Sequence, residues 1–117
     1  MGDLDDLTAL VRGFVDERDW SRFHNAKDLA SAISIEASEL QEVFLWKALE
    51  EADAIMADPS SRREVEEEMA DILIYLISLA STYGIDLKGA VERKVVSNSE
   101  KYPADAVRGK AIKYDKL

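Results

Sequence analysis

The sequence predicts an all-α fold, a four-helix bundle whose protomers assemble as a homo-oligomer. Its 117 residues suffice for one domain and are few for two. Apolar residues make up 47% of the chain and recur with helical period in four segments, whereas 5 glycines and 2 prolines are too few for a turn-dense all-β domain. Because a chain this small cannot easily bury four long apolar faces alone, we expect it to associate with copies of itself.

The first two predicted helices are Leu4–Glu17 and Ala26–Asp53. The side-chain oxygen of Asn25 is suited to cap the second helix, because it can accept a hydrogen bond from a free backbone N–H of the first turn. The first helix carries six apolar residues on one face: Leu4, Leu7, Leu10, Val11, Phe14 and Val15.

The third predicted helix is Ser61–Tyr83. Asp58-Pro59-Ser60 is typical of a turn, so the sequence predicts that Ser60 or Ser61 caps this helix, with Glu64 as the capping-box partner. Gly84 is expected to end it in the left-handed conformation that glycine adopts at helix C-termini.

The fourth predicted helix is Leu87–Glu100, with Asp86 as its cap. Pro103 cannot continue a helix and is expected to stop it. The predicted domain therefore spans residues 1–103, followed by a polar, irregular C-terminal tail over residues 104–117.

Composition excludes several classes of site and favours a cytoplasmic protein. The chain has no cysteine and one histidine, so thiolate sites and sites that need several imidazoles from one chain are excluded. No apolar run approaches the roughly 20 residues of a membrane span. The N-terminus MGDLDDLTAL is acidic, unlike a signal peptide. We therefore expect no membrane partner.

Charge is concentrated in two parts of the chain. Residues 36–71 contain 12 acidic and 3 basic residues, and residues 92–117 contain 7 basic and 4 acidic ones. An acidic centre repels nucleic-acid phosphates, so we expect no nucleic-acid partner. Carboxylates can hold a divalent cation, and lysines can meet the far end of a phosphate chain. A solvated acidic surface that keeps a small protein soluble is the alternative interpretation.

Two helices each carry a pair of acids at spacing i, i+3. At about 100° per residue, Glu36 falls within the apolar stripe of the second helix and Glu39 at its edge. Glu68 and Asp71 lie along the acidic flank of the third helix. A carboxylate in an apolar stripe is costly to ionise unless a salt bridge, a hydrogen-bond network or a metal compensates. The alternative is that Glu39 and Asp71 face water and that Glu36 meets a lysine.

Oxygen-only ligands favour Mg²⁺, Mn²⁺ or Ca²⁺, and Mg²⁺ fits best because it is commonly held by a few carboxylates and substrate phosphates. A ferritin-like di-iron site needs Glu-x-x-His pairs, which are absent. The 12-residue EF-hand loop and glycine-rich phosphate loops are absent too. Any phosphate contacts must therefore come from metal, lysine and helix termini.

Aromatic residues surround the predicted cation site along the sequence. Flat side chains beside such a site could stack a nucleobase. Ordinary packing in the core or at an interface is the alternative for each of them. The residues concerned are Trp20, Phe23, His24, Trp46 and Tyr75.

Four ordered motifs between about residue 12 and residue 103 carry a family resemblance. They are Phe14–Trp20 followed by Phe23-His24, Glu36–Glu42 with Trp46, Glu67–Leu76, and the closing series Lys94, Asn98, Lys101, Tyr102 and Pro103. In this order and spacing they resemble the MazG-like superfamily of all-α nucleoside triphosphate pyrophosphohydrolases, and within it the dCTP pyrophosphatase group.

The resemblance implies a role for each matching position. The implied Mg²⁺ ligands and catalytic residues, one of which also orients or deprotonates the attacking water, are Glu36, Glu39, Glu68 and Asp71. The residues implied to surround base and sugar are Trp20, His24, Trp46 and Tyr75. Those implied near phosphates and sugar, partly across a subunit boundary, are Lys94, Asn98, Lys101 and Tyr102.

The resemblance further implies hydrolysis of a nucleoside triphosphate to the monophosphate and pyrophosphate, with Mg²⁺ as cofactor and Mn²⁺ as a substitute. The expected substrate is dCTP or a modified dCTP, and the expected role is nucleotide-pool house-cleaning. Hydrolysis of dUTP or of a broad range of dNTPs stays open, as does a non-catalytic helical interaction module. The implied assembly is a homodimer, or a tetramer built as a dimer of dimers.

Overall fold

The computed structural model describes residues 2–117, and within that range the secondary structure is helical with no strand. The prediction of an all-α fold is confirmed. Two 3-10 turns lie at Ser21–Phe23 and Tyr114–Lys116. The α-helices are α1 (Asp3–Glu17), α2 (Ala26–Phe44), α3 (Leu49–Ala57), α4 (Pro59–Thr82), α5 (Leu87–Lys101) and α6 (Ala104–Val107).

The predicted second helix was wrong in one respect, because it is two helices. Leu45 is extended, and Trp46 has a positive φ of 61°, which interrupts the helix after Phe44. The backbone N–H of Ala48 donates to the carboxylate of Glu51 at 3.3 Å, so a new helix starts at α3. No glycine or proline marks this break, which is why the periodicity suggested continuity.

The start of α4 also differs from the prediction. Asp58, rather than Ser60 or Ser61, is the cap, and its carboxylate accepts hydrogen bonds from the Ser61 backbone N–H at 3.0 Å and hydroxyl at 2.9 Å. Pro59 is the first residue of the helix, a position where its missing N–H costs nothing. The Ser61 bonds hold the pKa of Asp58 below its ordinary value.

Three other residues predicted to cap or end a helix are confirmed. Asn25 accepts a hydrogen bond from the backbone N–H of Asp28 at 2.9 Å and caps α2. Asp86 accepts from the N–H of Gly89 at 3.1 Å and caps α5. Gly84 follows α4 with φ of 62°, where a side chain would be strained.

α4 is the centre of the first of two compact units, which runs as far as Ile85. It packs against α1, α2 and α3. The core is small, and six hydrophobic side chains of the described chain are buried: Val11, Val15, Leu29, Val65, Ile77 and Ala80. Polar bonds add to this packing, since the Arg12 guanidinium donates to the Ser81 hydroxyl and the Ala26 N–H donates to the Tyr83 hydroxyl at 2.7 Å.

The second unit, Asp86–Leu117, contains α5, α6 and the C-terminal tail. The tail is less irregular than predicted. Its Tyr114 ring meets Tyr102 edge to face at 6.1 Å between centroids, and the Lys101 ammonium lies 5.1 Å from the Tyr114 centroid. These contacts hold the last turn of the chain against the end of α5.

Within residues 2–117, no single helix is long and apolar enough to cross a membrane. The consecutive helices α4 and α5 meet the length and composition criteria only when taken together as a bent pair.

Candidate active site

Three of the four predicted metal ligands lie together between α2 and α4. Glu36 and Glu39 are one turn apart on α2, and Glu68 lies on the facing surface of α4. Each offers a carboxylate oxygen, and the three oxygens lie within 4.8 Å of one another. The i, i+3 spacing thus brings acids from two helices to one point.

Two of these carboxylates carry a buried oxygen with no partner. Glu36 Oε2 and Glu68 Oε2 are buried and make no hydrogen bond within the described chain. Burial raises the pKa of Glu36 from 4.5 to about 7, helped by a proton shared with Glu39 and by the negative charges nearby. Burial likewise raises the pKa of Glu68, and a side-chain hydrogen bond with Glu39 and the negative charge of Glu39 raise it further. The cluster therefore needs a proton or a cation among its oxygens.

Asp71, the fourth predicted ligand, lies beside this group. Its negative charge contributes to the raised pKa of both Glu36 and Glu68, so it is close enough to act on them. It follows Glu68 by three residues on α4 and therefore shares its side of the helix. It lies outside the group of three carboxylates whose oxygens are within 4.8 Å of one another, so its role as the fourth ligand stays a prediction.

Nearby basic residues do not neutralise the cluster. Arg62 and Arg63 pair with Glu66 and Glu67 on α4 itself, at 3.4 and 3.8 Å. With two buried oxygens and no basic partner among residues 2–117, the carboxylates fit a hard divalent cation such as Mg²⁺. In the part of the chain that the structure describes, Glu36 forms no ion pair with a lysine, so that alternative is wrong.

An aromatic pocket of about 260 Å³ lies at the N-terminal end of α2 and faces α4. It brings together three of the four residues predicted to surround a base. The Trp20 ring is held by an edge contact with Phe14 at 5.7 Å between centroids. The pocket is lined by Trp20, Phe23, His24, Asp28, Leu29, Ala32 and Tyr75.

The pocket adjoins the carboxylates on both helices. Ala32 precedes Glu36 by one turn of α2, and Tyr75 follows Asp71 by one turn of α4. Four helical residues span about 6 Å. A single ligand can therefore place a flat ring in the pocket and a charged group at the carboxylates.

Trp46, the fourth residue predicted near the base, lies apart from this pocket. It stands in the break between α2 and α3, its side chain is 91% exposed, and its backbone is left-handed. A bulky residue in that conformation is uncommon and is maintained only when its surroundings favour it.

The residues predicted near phosphates belong to the second unit. Lys94, Asn98 and Lys101 follow the i, i+4, i+7 spacing and share one face of α5. Tyr102 is the C-terminal cap of that helix. Within their unit, Lys101 and Tyr102 both contact Tyr114.

The sequence analysis did not select three residues that line this pocket, Asp28, Leu29 and Ala32. A signal for two of them was available, because Asp28 and Ala32 precede Glu36 by eight and four residues. They therefore lie on the same side of α2 as the carboxylate. Asp28 looked like an ordinary acid of a first helical turn.

Comparisons with known proteins identify the family of this chain. A protein-family model described as MazG-like matches residues 31–117. The dCTP pyrophosphatase 1 of Bos taurus is 41% identical over 114 residues, which are 97% of this chain and 68% of that protein. The Homo sapiens protein of the same name is 39% identical, with coverage of 97% and 67%.

Among solved structures, a pyrophosphatase from Archaeoglobus fulgidus is similar with a TM-score of 0.81 and 39% sequence identity. The likeness covers 88% of this chain and 94% of that one. The predicted resemblance is confirmed, and the chain belongs to the MazG-like family.

Proposed function

We propose that the protein is a Mg²⁺-dependent nucleoside triphosphate pyrophosphohydrolase that converts dCTP or a modified dCTP to the monophosphate and pyrophosphate. One observation carries the proposal: a carboxylate cluster, with two buried oxygens that make no hydrogen bond in the described part of the chain, lies one helical turn from an aromatic pocket. The names of the relatives, dCTP pyrophosphatase 1, support the choice of substrate. The proposed role is house-cleaning of the nucleotide pool in the cytoplasm.

The carboxylates of Glu36, Glu39 and Glu68, with Asp71, would hold the cation. A bound divalent cation neutralises charge that develops on phosphate oxygens and lowers the pKa of a water molecule. Mg²⁺ is favoured because it is normally held by few carboxylates together with substrate phosphates, and Mn²⁺ prefers similar ligands.

Different residues of the chain then contact different parts of the nucleotide. Trp20, His24 and Tyr75 stack and enclose the base, which fixes the nucleoside. Because the carboxylates are one turn away, the phosphate next to the nucleoside is the one they meet. A carboxylate of the cluster accepts the proton of the attacking water.

The leaving pyrophosphate needs positive charge, and residues of α5 can supply it. We propose that Lys94 and Lys101 meet the phosphate chain, with Asn98 and Tyr102 near phosphates and sugar. Their shared helix face allows them to act on one ligand.

We propose that the protein works as a homo-oligomer, a dimer or a tetramer made of two dimers. An apolar groove of about 370 Å³ lies between α1 and α4, where Leu10 and Phe14 are 70% and 47% exposed. A second copy is the occupant we propose, because a groove walled by apolar side chains from two helices suits a two-fold, self-complementary contact. Trp46, outside its own chain's pocket, would contact the nucleotide held by another copy.

The test is pyrophosphate release from each common dNTP and NTP, with Mg²⁺, with Mn²⁺ and with a chelator. We expect rapid, chelator-sensitive release from dCTP and loss of turnover in Glu39→Gln and Asp71→Asn. Unchanged turnover in both variants would contradict the assignment of these residues.

Two alternatives give different outcomes in the same assay. Equal or faster release from dUTP, or from many dNTPs, would keep the reaction and change the substrate. A non-catalytic helical module predicts no turnover and no shift of the melting temperature with Mg²⁺. The retained cluster of mutually repelling carboxylates favours the enzyme.

A further inference from the structure

The aromatic pocket contains one carboxylate, that of Asp28. The other lining side chains with polar atoms are Trp20, His24 and Tyr75, and each of these can donate a hydrogen bond. An ionised carboxylate accepts hydrogen bonds and donates none. Asp28 therefore gives the pocket a chemical preference that stacking alone does not.

The position of Asp28 is fixed by its neighbour. It is the third residue of α2, and its backbone N–H donates to Asn25 Oδ1 at 2.9 Å. Asn25 Nδ2 in turn donates to Asp28 Oδ2 at 2.8 Å. Among residues 2–117, Oδ1 of Asp28 accepts no hydrogen bond, so one acceptor oxygen is available to a ligand.

Nucleobases differ in what they offer such an acceptor. Cytosine carries an amino group at the position where uracil and thymine carry a carbonyl, and adenine carries an amino group as well. A carboxylate attracts the N–H groups of the amino group and repels the carbonyl oxygen.

We infer that Asp28 is a specificity-determining residue that selects nucleotides whose base carries an exocyclic amino group over those with a carbonyl at that place. The inference rests on the proposed function, since it names the substrate class of the same site. It does not involve the metal, because Asp28 lies two turns of α2 from Glu36.

A purely structural role for Asp28 makes a different prediction. Acidic residues are favourable in the first turn of a helix, and the Asn25 contact adds to that effect. Removal of Asp28 would then lower stability and weaken all nucleotides alike. Only a contact with the base changes the ratio of kcat/KM between two substrates that differ in their base.

The experiment compares kcat/KM for dCTP and dUTP in the wild type and in Asp28→Ala. The matched control is Asp5→Ala, because Asp5 is the third residue of α1 and does not line the pocket. We expect the dCTP to dUTP ratio to fall about tenfold to a hundredfold in Asp28→Ala, the range for loss of a hydrogen bond to a charged group. The ratio should be unchanged in Asp5→Ala.

A substrate-side change isolates the amino group. The deoxynucleoside triphosphate of pyrimidin-2-one lacks the amino group of dCTP and has no carbonyl in its place. The wild type should use it about tenfold or more less well than dCTP, and Asp28→Ala should treat the two almost alike. Calorimetric binding of α,β-imido analogues of dCTP and dUTP should show the same pattern without turnover.

Each outcome bears on one claim. An unchanged dCTP to dUTP ratio in Asp28→Ala, in a protein whose wild type hydrolyses dCTP, would overturn the inference and leave the proposed function intact. If the wild type hydrolyses and binds no nucleotide, the proposed function is wrong and the inference falls with it. A parallel fall in ratio for Asp5→Ala would also overturn it.

Discussion

α4 has an acidic face toward α2 and an apolar face toward α1, and each leaves side chains without the contacts that they normally make. The face toward α2 carries Glu68 and Asp71, and the buried oxygen of Glu68 makes no hydrogen bond within residues 2–117. The face toward α1 carries Leu73 and Ile74, which remain about two-fifths exposed beside an apolar groove. Within residues 2–117, no basic side chain pairs with the carboxylates of the first face, and the apolar side chains of the second face remain partly exposed.

The two faces show how a stable scaffold and a reactive site can share one helix. Both break a general rule, since buried polar atoms are normally satisfied and large apolar groups are normally covered. Such local violations are expected at functional sites. We propose that the acidic face binds a cation and a nucleotide and that the apolar face binds a second copy of the chain.

The largest expected effect comes from Glu36→Gln. Loss of a charged metal ligand should reduce turnover more than about a hundredfold. Mutating residues that only hydrogen-bond to a metal ligand already lowers metal affinity or activity about 10- to 100-fold. The same change should raise the melting temperature without metal, because it removes a costly charge from the cluster.

Glu64→Gln is the matched control for that prediction, because Glu64 is exposed on α4 one turn before Glu68. It should leave both turnover and melting temperature nearly unchanged. Full turnover in Glu36→Gln, or a lower melting temperature of the metal-free variant, would contradict the interpretation of the acidic face.

The apolar face is tested next by Leu10→Glu. A charge in the middle of a buried interface should weaken association at least about a hundredfold, because its desolvation is not compensated. Light scattering after gel filtration should show a smaller assembly. Leu49→Glu, at a position 83% exposed outside the groove, should keep the mass of the wild type. An unchanged mass for Leu10→Glu would place the interface elsewhere.

The pH dependence of stability should be an intermediate effect. Because folding raises the pKa of Glu36 from 4.5 to about 7, the folded state binds more protons in that interval. The resulting stability is complete below pH 4.5 and is lost as pH rises through about 7.

We therefore expect the melting temperature of the metal-free protein to fall across this interval, and the gain on adding Mg²⁺ to grow with pH, because metal and proton compete. Glu36→Gln should flatten both trends. A metal-free melting temperature that rises with pH over the same interval would contradict the sign.

The smallest effect is expected from Asn25→Ala, at the start of α2. Loss of an N-terminal cap costs about 1 kcal/mol. Asn25→Ser should retain most of that stability, because serine is also a good cap. Denaturant unfolding measures the difference, and equal loss in both variants would show that the cap bond at Asp28 is not the cause.

The sequence was sufficient for the parts of the fold that depend on local rules. Asn25, Gly84 and Asp86 act where predicted, since caps and left-handed glycines depend on neighbouring backbone alone. The break at Trp46 was missed, because its left-handed backbone is not accompanied by a glycine or proline, the residues that usually mark the end of a helix in a sequence.

The candidate site was predictable to a similar extent. The i, i+3 acids gave the cluster, because helical spacing fixes which side chains share a face. The pocket role of Asp28 was not predicted, since it depends on the 3-10 turn of Ser21–Phe23 lying over the start of α2. Lys94 and Lys101 remain predictions that rest on the motif.

The central claim is that the carboxylates of α2 and α4 act at the phosphate next to the nucleoside. Hydrolysis of dCTP with Mg²⁺ in water enriched in heavy oxygen tests it directly, because attack at either phosphorus of the cleaved bond gives the same two products. Mass spectrometry of those products should find the heavy oxygen in dCMP. Heavy oxygen in pyrophosphate, or release of dCDP and phosphate, would contradict the account.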